Sequence, residues 1–161
     1  MSKSLVPGLN YQLSEISQRR LLQLKPCVQQ RVIASLNELA LAGYGRLSIL
    51  ETYRSYERQC NLYGQGRTPR QLASVGLPSI YAKPSLKVVT GALPGTSLHG
   101  YGLAVDVLID VYPKSHWSKI GAVFKRHGFI WGGDWKMRDY RHFEYRGSLT
   151  LSEIFAGKVP T

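Results

Sequence analysis

The sequence is poor in cysteine and has no long apolar run. Cys27 and Cys60 are the only cysteines in 161 residues, and neither lies in a C-x-x-C pair, so spacing gives no support for a disulfide. We expect both to be small buried or half-buried thiols.

No apolar run approaches the roughly 18–20 residues of a membrane span. The N-terminal segment M-S-K-S-L-V-P-G-L-N-Y-Q also lacks the continuous apolar stretch of a secretory signal. We therefore expect a chain that does not span a membrane and that stays in the cytoplasm until something else releases it.

Acidic residues are also scarce, because 10 aspartates and glutamates face 21 lysines and arginines and leave a formal net charge of +11. This excess favours an anionic partner, such as nucleic acid, a phosphate-rich membrane surface or the acidic polymers of a cell envelope. The basic residues are scattered rather than gathered in one tract, so charge alone does not choose among these partners. No helix-turn-helix, zinc-finger or RNA-binding signature is present, and we expect no specific nucleic-acid binding.

Length and composition favour one folded domain over 1–161. Apolar residues make up 43% of the chain, which predicts a globule with a core rather than disorder. Helix signals and strand signals are interspersed, which predicts the α+β class. The predicted helix caps are Ser14, Ser55, Thr68, Ser115 and Thr150, and a further helix is predicted to begin at Pro26. The predicted strands cover 46–52, 87–90, 103–111, 129–131 and 141–145. The proline- and glycine-rich stretch 77–97 predicts a long binding loop at the rim of an active site.

Two segments carry residues with metal chemistry. The segment S-L-H-G-Y-G-L-A-V-D-V at 97–107 supplies His99 and Asp106, and D-Y-R-H-F-E at 139–144 supplies His142. Two imidazoles and a carboxylate are the three-ligand set of a catalytic zinc whose fourth position stays open for water. The alternative is a core histidine, a turn aspartate and a surface histidine, but the flanking glycines and the D-x-x-H spacing favour the metal. The sequence therefore predicts a zinc hydrolase.

His99 and Asp106 converge only if the chain bends between them. They are seven residues apart, and an odd separation in a regular strand places two side chains on opposite faces. Gly100 and Gly102 permit a bulge or tight turn at this point. In the second segment, alternation predicts that His142 faces the cleft while the aromatic residues beside it anchor the strand in the core.

Asp139 is the first candidate for the general base, because it lies three residues before His142 in a loop. Zinc would lower the pKa of its water and polarise the scissile carbonyl, and Asp139 would take the proton and return it to the leaving amine. Asp134, in W-G-G-D-W, is the rival, although an aspartate in such a turn more often braces a loop. Glu144 is expected to orient a ligand imidazole.

Three further titratable residues carry weaker signals. His127 is explained by the C-terminus of a helix, where a cation is favoured. His116 is expected in a solvated first helical turn, and Asp110 has only its position on a strand to recommend it. We expect none of the three to bind the metal.

These segments resemble the D-alanyl-D-alanine carboxypeptidase and L-alanyl-D-glutamate endopeptidase family of zinc peptidases, whose fold is shared with the hedgehog zinc domain. The family pattern S-x-H-x-x-G-x-A-x-D is met at 97–106, and its G-G-D-W…D-x-x-H-F-E ending is met at 132–144. A third block, Y-R-S-Y-E-R-Q-C-N-L-Y, looks like the family's Y-R-S-x-x-x-Q segment, so the resemblance spans about 52–145. It implies a small antiparallel sheet that carries the zinc site and packs with helices.

The resemblance also implies roles for individual residues. It places Zn²⁺ on the three predicted ligands and makes the aspartate of D-x-x-H the base. It implies that Arg54 binds a substrate carboxylate or the oxyanion, with Gln59 and Ser97 nearby in the substrate-binding cleft. From the residues alone, Arg54 can equally form a salt bridge to Glu51 or Glu57, and Ser97 can be a helix cap.

Two activities compete within the family. Envelope carboxypeptidases remove terminal D-alanine, whereas phage endolysins cut the L-Ala–D-Glu bond of the peptidoglycan stem peptide and reach the wall when a holin opens the membrane. The missing signal and anchor, the absence of a wall-binding domain and the strong basicity favour a monomeric phage or prophage endolysin in the host cytoplasm, attracted to the anionic envelope. A D,D-carboxypeptidase is the main alternative. A non-catalytic zinc-containing wall-binding module is disfavoured by the retained base and by three ligands rather than four.

Overall fold

The computed structural model describes residues 5–161, which form two compact units. The first unit comprises the described residues up to Tyr53 together with Tyr101–Thr161, and the second comprises Arg54–Gly100. Residues 1–4, which begin the segment judged not to be a secretory signal, lie outside the described residues. Within 5–161, no helix is long and apolar enough to cross a membrane.

Polar caps and prolines begin the helices largely as predicted. The hydroxyl oxygens of Ser14 and Ser55 each accept a hydrogen bond from a backbone N–H in the first turn, at 3.2 Å. Complete capping boxes form at Thr68 and Thr150. In each, the threonine side chain accepts from the backbone N–H three residues on, and the side chain of that residue accepts from the backbone N–H of the threonine. The helices are α1 (Glu15–Leu21), α2 (Pro26–Leu41), α3 (Tyr56–Tyr63), α4 (Pro69–Ala73), α5 (Lys114–Arg126) and α6 (Leu151–Phe155).

The predicted N-cap of α5, Ser115, is wrong by two residues, because the cap is Pro113. The helix begins at Lys114, directly after Pro113, and Ser115 lies inside its first turn rather than at its cap. The backbone N–H of His116 donates to the carbonyl of Pro113 at 2.9 Å, so the turn is already closed before Ser115 can cap it. The C-terminal end is as predicted, because basic residues occupy the last turn and Gly128 follows with φ +89°.

The first unit holds a four-stranded antiparallel sheet. Its strands are β1 (Ile49–Glu51), β2 (Ala104–Val107), β3 (Ile130–Trp131) and β4 (His142–Glu144), in the spatial order β1-β2-β4-β3. Each lies inside a predicted strand but is shorter than it. The central pair β2–β4 carries the two segments with metal chemistry, so the sheet brings together residues that lie far apart in the sequence.

Aromatic side chains hold β4 against α5. Phe143 and Phe124 are fully buried and their rings stack with centroids 4.0 Å apart. Trp131 is the cross-strand partner of Phe143, and their ring centroids lie 6.4 Å apart. Burial of each such side chain stabilises the fold by about 1.5–3 kcal/mol. Helix α5 approaches Trp131 closely at Gly121, where a Cβ would lie only 2.5 Å from the indole ring.

The second unit has its own small core, which includes Cys60, Tyr63, Leu72 and Leu77. Both cysteines are free thiols, Cys60 buried and Cys27 half-buried, as predicted.

The predicted strand at 87–90 is wrong. Residues 86–89 are exposed, and no strand of the described chain pairs with this segment, so β propensity alone does not make it a strand. Apart from a 3₁₀ turn at Ser79–Tyr81 and an isolated bridge at Lys83, the stretch 77–97 has no regular secondary structure, in agreement with the predicted loop.

Candidate metal centre and active site

The register of β2 and β4 determines the geometry around His142. Asp106 lies directly opposite His142, and Ala104 lies opposite Glu144. Nδ1 of His142 is 3.2 Å from Oδ1 of Asp106, and Nε2 is 3.1 Å from Oε2 of Glu144. Phe143 points into the core from the opposite face of the strand, as the alternation predicts. The predicted orienting contact of Glu144 is therefore present.

Two carboxylates make this position favourable for a positive group. Burial disfavours the charged imidazole of His142, but hydrogen bonds to Asp106 and Glu144 and their negative charges outweigh it and raise the pKa of His142 to about 9. A proton and a divalent cation satisfy the same electrostatic demand, because both place positive charge beside the carboxylates.

His99 lies in a single 3₁₀ turn, Leu98–Tyr101, and is only 2% exposed. Its carbonyl accepts a hydrogen bond from the backbone N–H of Arg54 at 3.1 Å. Gly102 follows the turn with φ +67°, a left-handed conformation that L side chains adopt with strain. The predicted bend between His99 and Asp106 is confirmed.

The three predicted ligands belong to a group of side chains of the kind that can hold a metal ion. His99, Asp106 and His142 each offer one ligand atom, and these atoms all lie within 4.8 Å of one another. Zinc takes nitrogen and oxygen ligands at about 2.0–2.2 Å, and this mixture of two imidazoles and one carboxylate suits Zn²⁺.

Asp139 is held by the backbone of the loop before β4. Its N–H donates to the carbonyl of Gly132 at 2.9 Å, and its own carbonyl accepts from the N–H of His142 at 3.2 Å. A Cβ on Gly132 would lie 2.4 Å from the Asp139 carbonyl oxygen, so glycine is required for this close approach. The Asp139 side chain is exposed. The rival Asp134 instead forms an ion pair with Lys125 at 2.8 Å and braces the loop, as its turn position indicates.

Arg54 and Gln59 form a hydrogen-bonded chain in the second unit. Nη1 of Arg54 donates to Oε1 of Gln59 at 2.8 Å, and Nε2 of Gln59 donates to the carbonyl of Ala92 at 2.8 Å. Gln59 is buried, so it orients the guanidinium rather than offering itself to a ligand. Ser97 is half-buried, and its carbonyl accepts from the N–H of Gly100 at 2.9 Å at the start of the turn that carries His99.

The remaining titratable candidates have other partners. Nε2 of His127 lies 2.8 Å from Glu38, and Asp110 forms an ion pair with Arg141. His116 is half-buried, and its Nδ1 lies 3.1 Å from the Tyr44 hydroxyl, so the prediction of a solvated side chain is wrong. Its ring stacks on Tyr112, a contact that sequence spacing does not reveal.

Known proteins share both the sequence segments and the fold. A sequence profile described as D-alanyl-D-alanine carboxypeptidase matches residues 90–145. The peptidoglycan L-alanyl-D-glutamate endopeptidase CwlK of Bacillus subtilis (strain 168) is 33% identical over 137 residues, which cover 75% of this chain and 72% of CwlK. This chain belongs to the D-alanyl-D-alanine carboxypeptidase and L-alanyl-D-glutamate endopeptidase family. It is therefore a metallopeptidase.

Solved structures agree with the fold expected for this metallopeptidase family. The L-Ala D-Glu endopeptidase ChiX of Serratia marcescens has a TM-score of 0.54 and 21% identity, covering 85% of this chain and 92% of ChiX. A vancomycin-resistance D,D-pentapeptidase VanY variant, solved in complex with Zn(II), has a TM-score of 0.51 and 22% identity, covering 83% of this chain and 78% of VanY. These likenesses confirm the predicted α+β fold.

Proposed function

We propose that this metallopeptidase is a peptidoglycan hydrolase that cleaves the bond between L-alanine and D-glutamate in the stem peptide. The observation that carries the proposal is the grouping of His99, Asp106 and His142 in a chain 33% identical to CwlK. Two imidazoles and one carboxylate leave a position for substrate or water, as hydrolytic zinc sites require. The activity of CwlK supports this bond as the target.

Each residue of the site has a chemical task in this proposal. His99, Asp106 and His142 would hold Zn²⁺, which would supply a Lewis acid for the scissile carbonyl and lower the pKa of water. Asp139 accepts the proton of the attacking water and returns it to the amine of D-glutamate as the peptide bond breaks. Arg54, oriented by Gln59, binds the developing oxyanion or a substrate carboxylate. Glu144 keeps the His142 ring in position.

Mass spectrometry of digested muropeptides tests the bond directly. Purified muropeptides incubated with the protein are expected to yield new L-alanine C-termini and new D-glutamate N-termini. Release of free D-alanine instead would reassign the protein as a D,D-carboxypeptidase. Binding to peptidoglycan with no new termini would identify a non-catalytic zinc-containing wall-binding module. An Asp139→Asn sample serves as the control for contaminating hydrolases.

We further propose that the protein acts as a phage or prophage endolysin, held in the host cytoplasm until a holin opens the membrane. The net charge of +11 supports attraction to the anionic envelope once the protein is released. Expression in a bacterial host is expected to lower the optical density only when the inner membrane is permeabilised, and Asp139→Asn is expected to abolish that fall. Lysis without permeabilisation would contradict this role.

A further inference from the structure

An open pocket in the first unit contains aromatic and cationic side chains that the proposed chemistry does not use. Its volume is about 580 Å³, which lies within the range of roughly 300–1,000 Å³ typical of small-ligand sites. Helix α5 and the segment 131–140 line it. The side chains that matter here are Lys114, Trp117, Trp135, Lys136, Arg138 and Tyr140.

The aromatic rings of this pocket are fixed in place. Trp117 and Tyr140 pack with ring centroids 4.8 Å apart. Nε1 of Trp117 donates to the carbonyl of Tyr112 at 2.9 Å, and Nε1 of Trp131 donates to the carbonyl of Tyr140 at 2.8 Å. Because their indole N–H groups are already bonded, these residues offer rigid apolar surface rather than donors to a ligand.

The charge of the lining is positive. Lys114, Lys136 and Arg138 are exposed, and none of them forms an ion pair with a carboxylate of residues 5–161. The acidic residue of the lining, Asp134, is already paired with Lys125 at 2.8 Å. An anionic ligand is therefore favoured over a neutral one in this pocket.

The pocket adjoins His142, one of the predicted metal ligands, within the first unit. Trp135 belongs to its lining, and the centroid of its ring lies 5.1 Å from that of the His142 imidazole. A substrate whose scissile bond lies at His142 thus has its neighbouring groups within reach of the pocket.

We infer that this pocket binds the carboxylate-bearing part of the stem peptide on the amine side of the scissile bond, an inference that rests on the proposed function. On the acyl side, L-alanine offers only a methyl group and an uncharged amide. On the amine side, D-glutamate is linked through its γ-carboxyl and keeps a free α-carboxylate, and the next residue adds a second carboxylate when it is a diamino diacid. The cations Lys114, Lys136 and Arg138 complement that side, while Trp117 and Tyr140 cover the aliphatic parts.

Two synthetic stem peptides that differ at one group test the inference. One contains D-glutamate with its free α-carboxylate, and the other contains D-isoglutamine, in which that carboxylate is an amide. Both carry lysine rather than a diamino diacid at the next position, so they differ in the only side-chain carboxylate. The wild-type protein is expected to show a higher kcat/KM for the carboxylate peptide. Lys114→Ala and Lys136→Ala are each expected to lower kcat/KM for that peptide by about two- to five-fold, through KM, and to leave the amide peptide unchanged.

Lys119→Ala is the matched control, because Lys119 is exposed on α5, lies outside the pocket lining and removes the same charge. If the ratio of kcat/KM for the carboxylate peptide to that for the amide peptide is the same in the wild type and the three lysine variants, the inference is overturned. The proposed function is then left intact. A defect confined to glycan-linked muropeptides would assign the pocket to the sugar and also overturn it. If the wild-type protein cleaves neither peptide at the L-Ala–D-Glu bond, the proposed function fails and the inference fails with it.

Discussion

Asp106 and His142 lie directly opposite each other on antiparallel strands, with Oδ1 of the carboxylate 3.2 Å from Nδ1 of the ring. This contact places an anionic oxygen and an imidazole side by side at one point of the sheet. Because the strands are paired through their backbones, the relative position of the two side chains depends on register rather than on flexible loops.

Replacement of His142 by alanine is expected to abolish zinc binding. The substitution removes one of three ligands and leaves Asp106 and His99 unable to hold the ion alone. Elemental analysis of the purified protein measures the loss. His127→Ala is the control, because His127 contacts Glu38 and not the metal group, and it is expected to keep full zinc content. Undiminished zinc in His142→Ala would remove this residue from the ligand set.

Glu144→Gln is expected to weaken zinc affinity by about 10- to 100-fold without unfolding the protein. The carboxylate lies 3.1 Å from Nε2 of His142 and strengthens the ring as a ligand through its charge, whereas an amide keeps the shape and loses the charge. Competition with a chelator of known affinity gives the change in dissociation constant. An unchanged constant would show that the contact has no influence on the metal.

Asp139→Asn is expected to stay folded and zinc-loaded but to lose about 10²- to 10⁴-fold in kcat, the usual contribution of a general base. Asp134→Asn tests the rival in the same loop. Because Asp134 pairs with Lys125 on the surface, its replacement is expected to change kcat by less than about two-fold. The reverse ranking of the two variants would make Asp134 the base.

Gly132→Ala is expected to lower kcat while zinc content stays high. The added methyl group would lie 2.4 Å from the Asp139 carbonyl oxygen and force the loop away from its present path. The displaced loop carries Asp139 but none of the three metal ligands. Steady-state kinetics and elemental analysis on the same sample separate the two effects, and equal losses of zinc and activity would indicate general unfolding instead.

Acid is expected to remove a small stabilising contribution from Asp110. A hydrogen bond from Arg141 lowers the pKa of Asp110, so the folded state favours the ionised carboxyl. This contribution is fully present above the unfolded pKa of about 3.9 and is lost as the pH falls through the lower folded value. Both side chains are partly exposed, so the free energy of unfolding of Asp110→Asn is expected to be lower than that of the wild type by about 0.2–1 kcal/mol at neutral pH. Urea titrations at several pH values should show this difference shrinking below about pH 4, and a constant difference would contradict it.

Local chemistry made much of the fold predictable. Ser14, Ser55, Thr68 and Thr150 form the caps that their sequence positions indicate, because a cap depends on residues within one turn. The candidate metal ligands were predicted from a local pattern as well, namely the glycines that flank His99 and the D-x-x-H spacing before His142. Prediction of caps failed at Ser115, because the first turn of α5 is already closed by a hydrogen bond to the carbonyl of Pro113.

Features that depend on distant partners were not predictable. The apolar and β-branched residues at 87–90 resemble a strand, but a strand exists only where another strand supplies its hydrogen bonds. The pocket beside His142 joins Trp117 on α5 with Tyr140 from the loop before β4, and only the packing of that helix on the sheet brings them together. The three tryptophans of the sequence were the available sign of this surface, but nothing in their spacing showed that it exists.

Strand β4 is three residues long, and its middle residue, Phe143, stacks on Phe124 while the residues on either side face the candidate metal. One short stretch of backbone therefore carries both a core residue and residues of the candidate metal site. Heat or denaturant that separates the stacked rings should release zinc in the same transition. Loss of catalytic activity and unfolding are therefore expected to occur at the same temperature or denaturant concentration.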